Sequence, residues 1–190
     1  MSTDALWYAA RGTGTAMLVL FTVSLVLGIL TRGGKALPGL PRFAVAGLHR
    51  NTGLLAVTFL AVHVVTIVSD HYARTGWLAV VVPFTGHYRP LWVGLGAVAF
   101  DCFVAVVVTS LLRRRIGLRV YRGVHWASYA AWPAAVLHGI FAGTDDATPW
   151  MIATDVVAIA AVLAAVLWRL SDSPRWKRAA AREPLPVATR

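Results

Sequence analysis

The stretch FAVAGLHRNTGLLAVTFLAVHVVTIV, residues 43–68, decides how this chain is read. Apart from Arg50, Asn51, three threonines and two histidines it is apolar from end to end, and it exceeds the roughly 20 residues a helix needs to cross a bilayer. Yet it carries His49 and His63. A histidine in hydrocarbon has two ring nitrogens to satisfy with no water nearby, so an intramembrane histidine is functional by default. The two are fourteen residues apart, which at about 100° per residue is roughly 40° short of four full turns, so they share a face. A rise of about 1.5 Å per residue separates the imidazoles by roughly 21 Å, one toward each side of an apolar core about 30 Å thick.

A second pair, His125 and His138, sits in another apolar stretch, thirteen residues apart. The rise is nearly the same, about 20 Å, but on an ideal helix the two are about 140° out of phase. Pro133 lies between them, and a proline that removes a backbone hydrogen bond and kinks a helix is able to change the phase.

Composition agrees with a membrane protein: of 190 residues 58% are hydrophobic and only 14% charged, far from the balance of a soluble domain. Spans are expected over 15–30, 43–68, 91–112, 123–142 and 151–170, giving an all-α integral membrane bundle of about five helices. The apolar piece 77–84 is too short to cross and reads as a re-entrant or interfacial segment capping the outer surface. The expected organisation is an N-terminal outer segment over 1–14, one membrane domain over 15–170 and a basic tail over 171–190.

Charge placement sets the expected orientation. Arg32, Lys35 and Arg42 follow the first span, Arg113, Arg114, Arg115, Arg119 and Arg122 follow the third, and Arg175, Lys177, Arg178 and Arg182 lie in the tail. The opposite connections hold Asp70, His71, Arg74, His87 and Arg89, and Asp145 with Asp146. The positive-inside rule then puts the N-terminus outside and the C-terminus in the cytoplasm of a multi-pass plasma-membrane protein. The net charge of +10 reflects this topology and contact with anionic membrane lipid, not nucleic acid. No basic region precedes the first span, which argues against a cleaved signal peptide.

With this orientation His49 and His125 fall near the cytoplasmic face, and His63 and His138 toward the outside. Two neutral imidazoles on opposite faces of an iron make a six-coordinate, low-spin centre suited to electron transfer, because no ligand has to leave. The lone Cys102 excludes a disulfide framework and a thiolate-held cluster.

Paired histidines on helices separated by one further span resemble the ferric reductase-like transmembrane domain of NADPH oxidases, ferric reductases and the haem membrane subunit of the bacterial methionine sulfoxide reductase system. The likeness covers about residues 7–170, and the opening Trp7-Tyr8-Ala9-Ala10-Arg11-Gly12-Thr13-Gly14 also looks like the start of bacterial members. It implies two haem b groups, the inner on His49 and His125 and the outer on His63 and His138. It also implies that Arg11 stands near the outer haem, to neutralise a propionate or attract an anionic acceptor. Family enzymes often carry six spans and a following flavin and nicotinamide domain, whereas no Gly-rich dinucleotide fingerprint follows a strand here. The expected donor is therefore a separate reductase, flavoprotein or quinol, with flavin or quinone on that partner. The expected acceptor is an outer-side protein or a ferric chelate.

Arg50 and Arg122 are candidates to neutralise inner propionates, against the plainer reading as inside-positive anchors. Trp126 and Trp132 are suited either to packing on porphyrin or to an interfacial belt. Asp101, near the middle of the third span, is costly unless protonated or paired. It reads as a helix-packing hydrogen bond rather than a proton relay, since no second buried acid is expected to continue a path. Gly94 and Gly96 suit close helix approach. Three function classes follow: a transmembrane electron carrier, a b561-like quinol-linked cytochrome with the same ligands, and a haem-free membrane protein handling metal or protons.

Overall fold

In a computed structural model the described residues are 3–31, 39, 41–70, 75–145 and 147–171. Arg32, Lys35, His71, Arg74, Asp146 and the basic tail with Arg175, Lys177, Arg178 and Arg182 lie outside them. The order is α1 Thr3–Thr31, α2 Arg42–Ser69, α3 Trp77–Val81, α4 Pro90–His125, α5 Ser128–Ala142 and α6 Pro149–Ser171. Four helices, α1, α2, α4 and α6, are long and apolar enough to cross a membrane. The 15-residue α5 is the fifth member of the bundle, and α1 begins well ahead of the expected first span, so Arg11 is helical.

The bundle is apolar on its outside as well as within. Phe43 is 80% exposed and Leu111 73%, with Leu54, Leu55, Val157 and Leu167 also outward. A soluble monomer does not present so continuous an apolar surface, whereas lipid does not penalise it. The core sits along α1, where Leu18, Phe21, Leu25 and Ile29 are buried. On α6 the buried Met151, Asp155, Ala158, Val162 and Ala165 recur at alternating four- and three-residue steps, a seam that packs on α1.

The helices form two antiparallel hairpins, α1 with α2 and α4 with α5, joined mainly through α1 against α5 and α6. α2 carries His49 and His63, α4 ends on His125 and α5 carries His138; α2 and α5 scarcely touch each other. At one end Trp7 Nε1 donates to Thr144 Oγ1 at 3.2 Å, and Arg89 Nη1 donates to the carbonyls of Phe141 at 2.6 Å and Gly143 at 3.0 Å, capping the C-terminus of α5. Arg89 is left-handed (φ 38, ψ 61) with Pro90 opening α4 behind it, the place where proline costs a helix nothing. The other end gathers Arg42, Arg113, Arg114, Arg115, Arg119 and Arg122, and Arg169 Nη1 donates to the Ile29 carbonyl there at 3.2 Å. α3 packs on α4 at the less basic end, where the sequence places a capping segment.

The path from α4 to α5 explains the thirteen-residue spacing. α4 breaks at Gly117 (φ 81, ψ 160), and the helical path then continues from 118 to 142 with one interruption. At that interruption Trp126 and Ala127 hold φ/ψ near −65/−22 and −60/−21, values typical of a 3₁₀ turn. Bonds from Trp126 N to Gly123 O, Ala127 N to Val124 O, Tyr129 N to Trp126 O and Ala130 N to Ala127 O all span three residues. The change of winding thus comes ahead of Pro133 and is not a kink at the proline.

Candidate metal centres

α2 brings His49 and His63 to the face that looks across to α5, and α5 and its approach bring His125 and His138 back. The His49 and His125 ring centroids are 6.1 Å apart with planes at 74°. Those of His63 and His138 are 6.3 Å apart at 81°. Two imidazoles bound through nitrogen on opposite sides of one metal, at about 2.0 Å each, place their centroids roughly 6.3 Å apart. Both pairs stand at that separation.

The outer nitrogens are tied back. His63 Nδ1 donates to the Ala10 carbonyl at 2.8 Å, His138 Nδ1 to the Trp92 carbonyl at 2.9 Å, and His49 Nδ1 to the Ser24 carbonyl at 2.8 Å, with Ser24 Oγ at 3.0 Å. A carbonyl only accepts, so Nδ1 carries the proton and Nε2 keeps its lone pair for a metal. This is the arrangement in which ligating histidines are usually held. Backbone acceptors carry no side-chain signature, and sequence reasoning missed all three.

Among the described residues no group of three or more His, Cys, Asp and Glu gathers to hold a bare ion. Among the described residues each level supplies two facing imidazoles and no third His, Cys, Asp or Glu ligand. Such a donor set suits a metal that brings its own four equatorial ligands, which is what an iron porphyrin does. The outer pair also borders an open, mostly apolar cavity. Arg11, Gly14, Phe100 and Val80 line it together with His63 and His138.

Arg11 is partly buried and forms an ion pair with Asp145. It lies within electrostatic range of His63, His138 and Asp155. Arg50 and Arg122 are exposed at the basic end, and His87 is exposed at the other. Trp126 is outward, 4.9 Å from the Tyr129 ring. Trp132 is buried in the core with Nε1 donating to Thr22 Oγ1 at 2.9 Å, so it ties α5 to α1. Gly94 admits the Phe84 ring and Gly96 the His138 ring, rather than a helix backbone.

Two expectations about acids are corrected. Asp101 is half-buried and makes no hydrogen bond or ion pair among the described residues. The second buried acid exists: Asp155, 7% exposed, occupies the α6 seam with Oδ1 lacking a hydrogen-bond partner. The signal was available, an aspartate inside an apolar span at the seam spacing.

The family model described as ferric reductase like transmembrane component matches residues 13–141. That is more than half of the chain, and the chain belongs to this family. No curated protein and no solved structure matches it at a significant level.

Proposed function

We propose that this member of the ferric reductase-like transmembrane family is a b-type cytochrome that carries electrons across the membrane. The path runs from a cytoplasmic-side donor through an inner haem site at His49 and His125 and an outer one at His63 and His138 to an outer-side acceptor. The observation that carries this reading is the two pairs of facing imidazoles, with ring centroids 6.1 and 6.3 Å apart. When bound, each haem supplies a one-electron ferric/ferrous couple.

The chain's own residues do the remainder. His49, His63 and His138, fixed through Nδ1, would together with His125 hold the iron in either redox state, which would keep structural reorganisation small. Phe21, Phe103 and Trp132, buried between the two levels, keep water out of the path. Arg11 offers a cation at the outer site, suited to a propionate or an anionic acceptor. Arg50 and Arg122 are placed at the basic end to serve inner propionates or a donor surface. Residues 1–14 would form the outer end of this haem domain and the tail beyond 170 its cytoplasmic end. The donor would be a separate flavoprotein, reductase or quinol, and the acceptor a protein or ferric chelate at the outer face.

The test is electron passage across a sealed membrane. Proteoliposomes holding the haem-loaded chain, with ferricyanide trapped inside and a membrane-impermeant reductant outside, should reduce the trapped oxidant. His49→Ala and His138→Ala should each abolish this. A haem-loaded wild type that performs no better than protein-free vesicles would overturn the proposal.

A further inference from the structure

Three of the four facing histidines rest against a glycine. A Cβ on Gly96 would stand 2.6 Å from His138 Nδ1, one on Gly14 2.9 Å from His63 Nδ1, and one on Gly28 3.4 Å from His49 Cε1. In each case the carbonyl that accepts the imidazole proton belongs to the residue four positions earlier: Trp92, Ala10 and Ser24.

The recurrence has a geometric cause. Cα–Cβ bonds in a helix tilt toward the N-terminus, so the side chain of residue i+4 lies over the carbonyl of residue i. That carbonyl already accepts the helical N–H and keeps a second lone pair. A side chain at i+4 would occupy the approach to it, and glycine leaves it open.

We propose that Gly14, Gly28 and Gly96 are positioning residues for the axial ligands. Each uncovers the carbonyl four residues earlier, so that an imidazole docks there through Nδ1 with Nε2 aimed at the metal and the ring's rotation fixed. The proposal rests on the bis-histidine haem reading. Ala10 with Gly14 and Ser24 with Gly28 repeat after fourteen residues on α1, the interval that separates His49 from His63 on antiparallel α2. One helix pair thus builds the same seat once per level. On α4 the same interval leads from Trp92 and Gly96 to Val106 and Ser110, where the Ser110 hydroxyl donates to the Val106 carbonyl at 2.6 Å. His125 packs instead beside the Tyr121 ring at 5.3 Å.

Fixed rings have a spectroscopic consequence. Near-perpendicular imidazole planes, as at 74° and 81°, leave two d orbitals of low-spin ferric iron almost degenerate and give a strongly anisotropic EPR signal. A ring free to turn toward its partner's plane gives a less anisotropic, rhombic one.

The experiment compares wild type, Gly96→Ala, Gly14→Ala, Gly28→Ala and Gly47→Ala as full-length protein, by haem content and EPR of the ferric form. Gly47 is the control, since a Cβ there meets nothing within 4 Å. Gly96→Ala should turn the outer signal rhombic or lose it, with haem falling toward one per chain at the about 10–100-fold affinity loss typical of such supporting contacts. Gly14→Ala should act on the same site less strongly, Gly28→Ala should shift the inner signal alone and least, and Gly47→Ala should match wild type. Retention of the inner signal in Gly96→Ala reports that the bundle has folded. Wild type with two haems whose signals survive unchanged in Gly96→Ala and Gly14→Ala overturns the seats, as does loss of both haems in Gly96→Ala. Wild type without haem overturns the haem reading itself, and is told apart because it needs no variant.

Discussion

Ser24 meets His49 with two oxygens. Its carbonyl and hydroxyl lie 2.8 and 3.0 Å from Nδ1, while the hydroxyl donates onward to the His49 carbonyl at 3.2 Å. Both oxygens draw on the Nδ1 proton, make the imidazole a stronger donor and favour ferric iron. Ser24→Ala removes one of them, so the inner midpoint potential should rise while the outer one stays. A hydrogen bond worth about 0.5–1 kcal/mol corresponds to roughly 20–40 mV for a one-electron couple, measurable by optical redox titration. At the outer site, Arg11→Ala would leave the partly buried Asp145 without its cation. Breaking such a pair costs on the order of 3 kcal/mol, so the thermal transition in detergent should fall clearly and recover in part in Arg11→Ala/Asp145→Ala. The four histidines were legible in the sequence because imidazoles are conspicuous in apolar spans. The seats of three of them were not, because the acceptors are carbonyls and, of the three glycines, only Gly96 stood out, as a packing residue. Yet Gly14 and Gly28 repeat the histidine interval, and that echo was there to be read.

Helix winding decides whether two residues share a face. The His49 and His63 interval predicted one face correctly because α2 is regular throughout. The His125 and His138 interval misled because spacing does not reveal local winding. Three-residue bonds between Gly123 and Ala130 add about 20° per residue, so four or five residues recover most of the about 140° shortfall. The phase of α5 is therefore a sensitive quantity. Inserting one alanine between Ala134 and Ala135 turns His138 by about 100° and leaves His125 in place. The outer haem should be lost and the inner retained, as a halved haem content with one surviving low-spin signal. Retention of both would show that α5 does not fix the outer ligand. Trp132→Phe, which removes the indole bond to Thr22 at 2.9 Å, should lower stability by about 1 kcal/mol in thermal unfolding without changing haem content.

Across the whole molecule the apolar exterior and the segregation of arginines follow from one physical demand, a bundle solvated by lipid with one strongly basic end. Composition made this legible, and five apolar stretches became five bundle helices. α5 is shorter than its stretch because the turn at Trp126 and Ala127 leaves residues 123–125 on the end of α4. Sidedness gives its own prediction: with Cys102 replaced by alanine, a cysteine at His87 should react with an impermeant maleimide in intact cells, and one at Ser171 only after permeabilisation. The central claim is that two facing histidine pairs hold two haems, and pyridine haemochrome stoichiometry on the purified chain tests it most directly. Two haem b per chain in wild type and one in each of His63→Ala and His125→Ala is the expected result. A fully reconstituted wild type with no haem, or variants that keep both, would contradict it.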